Sequence, residues 1–495
     1  MTDLTKNPDL RSREKIDDYF GDWKWREGLA ELMVPIVGRL YRHGVHVMIY
    51  GQSLVNKSPI DIMHAHRFVR QIEANELSEL ETYPLLERLS KMDLPDCEID
   101  LGELAMRCSF FKDLPSNPDS IDDFLNEQIS VNDLTINRPE NPQNIVLYGF
   151  GRIGRLMARM LAQTTGPGNY FRLKGVVVRK TGDNDLIKRA SLLRRDSVHG
   201  RFEGTIRGDL ENELLVINGN PVKFIYANNT DEVDYSKHNI EKAILIDNTG
   251  VYRDKKGLSK HLKSKGVSKV LLTAPTKGEL KNIVYGVNHK DISDKDKILG
   301  AASCTTNAIV PLLKAISEEY GIDNGHVETV HSYTNDQNLI DNYHDKARRG
   351  RSAALNMVLT ETGAAKAVSQ VLPELEGKLS ANAIRVPTPN VSMAILNLYL
   401  EKESTVEKLN DFLRKTAFHS IYKDQIDYTN SPEIVSSDII GSRFGCVVDS
   451  QATICNGKNV VIYAWYDNEL GYCVQLLRVL KKMAGIKYLR LPLFL

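Results

Sequence analysis

Apolar residues fall at helical spacing through the first hundred positions and gather into short unbroken runs beyond about residue 143. In the first stretch Leu29, Leu32, Met33, Ile36, Val37 and Leu40 sit at i, i+3, i+4, i+7, i+8 and i+11, the stripe of an amphipathic helix that needs a partner surface. Pro35 lies inside the stripe and is expected to kink or split that helix. Ser58-Pro59 followed by Asp61 predicts a second helix start, with Ile62, Ala65, Val69 and Ile72 as its apolar face. A third helix is predicted over 83–94. From about 113 to 143 the pattern fails, and Pro115, Pro118, Pro139 and Pro142 stand among Asp, Asn and Ser, which reads as a linker.

Past the linker the period changes. Asn144 to Tyr148 and Leu173 to Val178 are apolar strands, and between them Leu156, Met157 and Leu161 share one helix face. Strand, helix and strand in that order predict a parallel sheet and an α/β fold class. The turn between the first strand and the helix is Gly149-Phe150-Gly151-Arg152-Ile153-Gly154. Its glycines permit a tight turn and let backbone N–H groups and the helix N-terminus reach a pyrophosphate, so a dinucleotide is the expected cofactor.

Composition narrows the partners. Lys+Arg 64 balance Asp+Glu 64, so no global field recruits nucleic acid or an anionic membrane. The six cysteines show no CxxC or metal-ligand spacing, which suits a reducing compartment and predicts no metal. His43, His46, His64 and His66 lack Cys or acid partners in ligand spacing. The start, Met-Thr-Asp-Leu-Thr-Lys-Asn-Pro, has no apolar core behind a basic end, and no run approaches the roughly 18 apolar residues a spanning helix needs. A cytoplasmic protein is expected.

Cys304 in Ala-Ser-Cys-Thr-Thr-Asn and His331 in Thr-Val-His-Ser-Tyr-Thr-Asn-Asp-Gln supply the chemistry. A free thiol is only partly ionised at neutral pH, and an imidazolium within reach would lower its pKa and arm it as a nucleophile. Downstream of a dinucleotide turn, that pair points to aldehyde oxidation through a thioester.

These strings, with Asp196-Ser197-Val198-His199-Gly200, Asn248-Thr249-Gly250, Thr273-Ala274-Pro275, Thr362-Gly363-Ala364-Ala365-Lys366 and Trp465-Tyr466-Asp467-Asn468-Glu469, resemble the phosphorylating glyceraldehyde-3-phosphate dehydrogenases from about Asn144 to Met483. The resemblance implies a homotetramer with a small-molecule substrate and three regions: a helical extension and linker over 1–138, a Rossmann-like NAD(P) domain over 139–303 completed by a helix over 465–485, and an α+β catalytic domain over 304–464. It assigns Cys304 as the attacking sulfur, His331 as its partner, Gly149, Gly151, Arg152, Ile153 and Gly154 to the cofactor, Thr273 to the nicotinamide face and Asn468 to its carboxamide. Thr334, Asp336 and Arg385 resemble the site for the substrate's phosphate; Ser303, Thr305, Thr362 and Gly363 resemble that for inorganic phosphate. His199 is expected to be structural. Arg348, Arg349 and Arg351 lie in a loop expected to reach a neighbouring subunit, and the apolar tail 489–495 is expected to pack on one.

The chain departs from the family at the cofactor. Tyr148 replaces the usual Asn before the first glycine, and the second strand ends Val178-Arg179-Lys180 where an acid would bind the ribose of NAD. Asn342-Tyr343 replaces the Leu-Pro pair of NAD-specific members. Two cations at that corner suit a 2′-phosphate, which favours NADP or dual use; the alternative is Asp183 or Asp185 turning back to the ribose. Erythrose 4-phosphate is the rival substrate, disfavoured by the phosphate-site strings at 333–337 and 362–368. Residues 1–138 are read either as a cap packed on the core or as a regulatory or docking module for a protein partner.

Overall fold

The computed structural model describes residues 18–69, 77–108, 118–130, 141–164, 170–486 and 489–492, so Ile72, Pro115 and Pro139 lie outside it. The chain divides into two compact units. One comprises Met1–Asn141, Thr164–Tyr170 and Lys487–Leu495; the other comprises Pro142–Gln163 and Phe171–Ile486.

The first unit is mainly helical but is built around a sheet that no helical stripe foretold. Its strands run in the order Gln52–Ser53, Val45–Ile49, Cys97–Asp100, Leu489–Leu491, the last two pairs parallel. Val45, Val47 and Ile49 are buried while His46 and Met48 are half-buried, a two-residue period only five residues long. The helix Tyr19–Arg42 buries Leu29, Met33, Ile36, Val37 and Leu40 and runs unbroken through Pro35, because that buried stripe outweighs one missing backbone hydrogen bond. Pro59–Phe68 begins at the Ser58 capping box. The third helix spans Glu79–Leu89, set early by a capping box at Ser78, rather than 83–94. The expected linker contains the helix Pro118–Ser130, whose Asp122 pairs with Arg88. The tail also differs from expectation: Leu489 and Leu491 are buried as the edge strand of this unit's own sheet.

The second unit carries two sheets. Six parallel strands follow the order Ile298–Gly300, Val267–Leu272, Ala243–Asp247, Gln143–Tyr148, Phe171–Val178, Asn220–Tyr226, and two antiparallel strands, Leu214–Ile217 and Ile206–Asp209, extend one edge. The chain order reverses on either side of Gln143–Tyr148, so the crevice above that strand is the switch point where such sheets bind ligands. Alternate residues of the central strands pack to opposite faces. Ile145 and Leu147 join a core with Met157 and Leu161 of the helix Arg152–Thr164 and Leu476 and Leu480 of the helix Leu470–Met483. Val146 and Leu245 join Val270 and Leu258 on the other face. The second sheet is mixed, ordered Val358–Thr360, Leu379–Val386, Ile322–Ser332, Ser392–Ser404, Cys446–Tyr466, Ile426–Thr429. This is the Rossmann-like plus α+β architecture expected from the sequence.

Candidate active site

The turn after Gln143–Tyr148 has room only for glycine at two points. Gly149 has φ +92°, and a Cβ there would lie 2.9 Å from Thr249 Cγ2. A Cβ at Gly154 would lie 2.5 Å from the Gly149 carbonyl oxygen, while Gly151 faces open space. Beside them Asn248 Oδ1 is buried without a partner. These features fit a pyrophosphate cradle. The Arg152 guanidinium is taken up by Glu469 and by Asp196 at 3.0 and 3.1 Å, which leaves its backbone N–H for a phosphate. His199 joins the same network through Glu469 at 3.1 Å. Ile153 packs on the core, and Thr273 donates to the Asp247 carbonyl at 3.1 Å.

At the ribose corner Arg179 and Lys180 are exposed, with the Lys180 ammonium 5.4 Å from the centre of the Tyr226 ring. Asp185 lies beside this corner. It is buried and accepts from Thr181 N, Thr181 Oγ1 and Arg189.

Cys304 opens the helix Cys304–Tyr320, with Ser303 as its cap: Ser303 Oγ accepts from Thr306 N at 3.0 Å. The turn leading in is strained, for Ala302 has φ +55°. Asn307 holds it, donating to the Ala301 and Ser303 carbonyls at 2.8 and 2.9 Å. Cys304 Sγ then lies 3.5 Å from Nε2 of His331, on the strand Ile322–Ser332. A second strained residue, Val391 at φ +68°, precedes Ser392, and Ser392 and Ser332 both donate to Asn468 Oδ1 at 2.9 Å. That fixes the Asn468 side chain and leaves its NH₂ as the group able to donate to a ligand. Behind the pair, Tyr466 OH joins the Thr305 and Thr329 hydroxyls at 2.9 and 2.7 Å.

Arg385 reaches this pair, its Nη1 lying 2.6 Å from His331 Nδ1 and 3.0 Å from the Ser332 carbonyl. Nδ1 is itself 2.7 Å from that carbonyl, so the ring nitrogen has to serve either as donor to oxygen or as acceptor from arginine. A guanidinium keeps its protons, and acceptance from Nη1–H is the consistent choice; the imidazole proton then sits on Nε2, facing sulfur. Burial first, and the guanidinium second, hold His331 far below its usual range, at about 3, and burial pushes the Cys304 thiol up. Both shifts favour the uncharged forms of the pair, whereas the sequence led to an imidazolium beside the sulfur.

The remaining polar residues frame the pocket without all touching it. Arg385 Nε is buried with no partner, as an anion site requires. Thr362 Oγ1 accepts from Ala364 N at 3.2 Å, and Gly363 precedes the helix Ala364–Val371 with open space at its α-carbon. Asp336 pairs with Arg349, which also donates to Thr360 at 3.0 and 3.1 Å. Arg349 thus ties the Thr334–Asp336 segment to the strand leading to Thr362. Arg351 pairs with Asp341 on the surface. Among the described residues no cluster of His, Cys, Asp and Glu suited to a metal occurs, and no helix is long and apolar enough to cross a membrane.

A fold with a dinucleotide crevice and a cysteine–histidine pair at a helix N-terminus defines a class of cofactor-dependent dehydrogenases, and comparison with known families specifies which. Residues 143–255 match the glyceraldehyde 3-phosphate dehydrogenase NAD binding domain and residues 303–468 the C-terminal domain of the same family, and the chain belongs to that family. It is an oxidoreductase with a nicotinamide-cofactor domain. Over 458 residues it is 55% identical to a glyceraldehyde-3-phosphate dehydrogenase-like protein of Pseudomonas aeruginosa (strain UCBPP-PA14), covering 92% of this chain and 98% of that one. The glyceraldehyde-3-phosphate dehydrogenase of Zymomonas mobilis is 37% identical and glyceraldehyde-3-phosphate dehydrogenase 2 of Trichormus variabilis 39%, each over 69% of this chain and 98% of its own length. The Pseudomonas protein therefore matches far into the N-terminal unit, which the two shorter enzymes lack.

Proposed function

We propose that this chain oxidises glyceraldehyde 3-phosphate, with inorganic phosphate, to 1,3-bisphosphoglycerate, as a cytoplasmic homotetramer using NADP or either cofactor. The observation that carries this reading is Cys304 Sγ, 3.5 Å from His331 Nε2 at a helix N-terminus, with Arg385 against the far side of the imidazole. Bound nicotinamide supplies the hydride acceptor.

Arg385, together with Thr334, takes the substrate's phosphate as a guanidinium fork, and in doing so leaves His331 Nδ1. The imidazole proton then passes through solvent from Nε2 to Nδ1, where it is donated to the Ser332 carbonyl, and the Nε2 lone pair is left facing sulfur. His331 accepts the thiol proton as sulfur attacks the aldehyde carbon, and the backbone N–H groups of the first helical turn stabilise the oxyanion. Loss of hydride from that carbon leaves a thioester on Cys304. Phosphate held by Ser303, Thr305, Thr362 and Gly363 attacks it; the C–S bond breaks, the acyl phosphate leaves and the thiol is regenerated. Asn468 orients the carboxamide. The commitment of Asp185 to Thr181 and Arg189 favours a 2′-phosphate between Arg179 and Lys180. Leu339, Ile340, Tyr343, Leu355 and Met357 are all more than 70% exposed in the single chain, which supports burial against other copies.

The test is steady-state kinetics with glyceraldehyde 3-phosphate and phosphate. Phosphate-dependent turnover with a higher kcat/KM for NADP is expected. Turnover of erythrose 4-phosphate in its place would overturn the substrate assignment.

A further inference from the structure

The N-terminal unit contains a groove of about 460 Å³, a size typical of small-molecule sites. Val34, Pro35, Gly38, Arg39 and Arg42 of the helix Tyr19–Arg42 form one wall, and Leu54, Asn56 and Lys57 form the other. Three cations line it and no carboxylate does. Among the described residues neither Arg39, Arg42 nor Lys57 is in a salt bridge, and the acid felt by Lys57, Asp61, is held by the Ser58 cap.

Arginines in a last turn also suit the helix dipole, which would explain Arg39 and Arg42 without a ligand. It does not explain Lys57 across the groove, nor the helix residues beside the arginines. Pro35 and Gly38 each oppose a helix interior, by about 3 and about 1 kcal/mol relative to alanine. Packing does not demand the glycine, because a Cβ at Gly38 would meet only Arg42 Nη1, at 3.7 Å. Both residues lie on the groove wall, and the side chain that Gly38 lacks would project into the cavity beside that guanidinium.

We propose that this groove binds a small organic anion, with phosphate or carboxylate groups between Arg39, Arg42 and Lys57 and an apolar portion against Val34, Pro35 and Leu54. The site is separate from the dehydrogenase chemistry and does not depend on the substrate assignment.

Calorimetric titration of the full-length protein, with its cofactor crevice saturated by NADP, would use ATP, citrate and pyrophosphate as probes. At least one probe is expected to bind, with affinity falling as salt rises. Arg39→Ala/Arg42→Ala should weaken that binding at least tenfold, and Gly38→Leu, which fills the groove at unchanged charge, should do the same. Unchanged turnover and melting temperature would certify that the variants fold. Equal affinity in wild type and both variants, or binding of none of the three probes, would overturn the proposal.

Discussion

The two units treat buried polar groups in opposite ways. In the N-terminal unit they close on one another: Glu79 takes Arg26 at 2.7 Å, and His66 sits between the Ile62 carbonyl at 2.8 Å and the Thr82 hydroxyl at 2.6 Å. Asp100 likewise accepts from the N–H groups of Tyr50, Gly51 and Glu103. In the dehydrogenase unit several are left open, among them Arg385 Nε, Thr388 Oγ1, both polar atoms of the Asn390 side chain and Asn248 Oδ1. A buried donor or acceptor without a partner costs roughly 1–3 kcal/mol, and a fold retains it where a ligand completes the bond. The dehydrogenase unit therefore keeps open polar groups at its site, whereas the networks of Glu79, His66 and Asp100 in the other unit are closed and its cations Arg39, Arg42 and Lys57 line a groove wall.

The sharpest way to break that contrast is at the sulfur. Cys304→Ser should lower kcat by more than about 10³-fold while leaving the melting curve in place, because the nucleophile is lost and the packing is kept. A smaller loss, on the order of 10²-fold or more, is expected for His331→Asn. If either variant instead melts early with its turnover intact, the open polar groups are structural. At the ribose corner Arg179→Ser/Lys180→Asp should cut kcat/KM for NADP about tenfold or more and spare NAD, the worth of one or two charge-assisted hydrogen bonds.

Stability experiments sharpen the other side. Leu491, 2% exposed in the edge strand, should cost about 2–5 kcal/mol when cut to alanine, read by chemical denaturation, with the kcat of the folded fraction unchanged. The smallest effect is set by pH. His331 is neutral in the folded protein down to about 3, whereas in the unfolded chain it protonates near 6.5. Between those values the unfolded state binds more protons, so stability is lost as pH falls through the window and is complete above it. Lowering pH from about 7.5 to about 5 should cost wild type about 2 kcal/mol more than His331→Asn.

Legibility from sequence followed the same divide. The dehydrogenase site rests on residues close in sequence that act at one place: Ser303 caps the helix that Cys304 begins, and Asn307 fastens the turn before it. The bonds of Arg349 were hidden because Asp336 and Thr360 lie more than ten positions away on either side. The tautomer of His331 was hidden for a similar reason, since Arg385 reaches it only through the pairing of two parallel strands, His331 opposite Arg385. In the N-terminal unit the apolar stripes located the first two helices, but Val45–Ile49 and Cys97–Asp100 are too short for their alternation to stand out, and their partner Leu489–Leu491 lies far along the chain.

That last pairing bears on biosynthesis. The ribosome releases Cys97–Asp100 long before Leu489–Leu491, the strand that covers its edge. Until that strand appears the first unit carries an open strand edge, the kind of surface that chaperones shield and that seeds aggregation. Losing Leu489–Leu491 would therefore leave the dehydrogenase unit entire and injure the module that is translated before it.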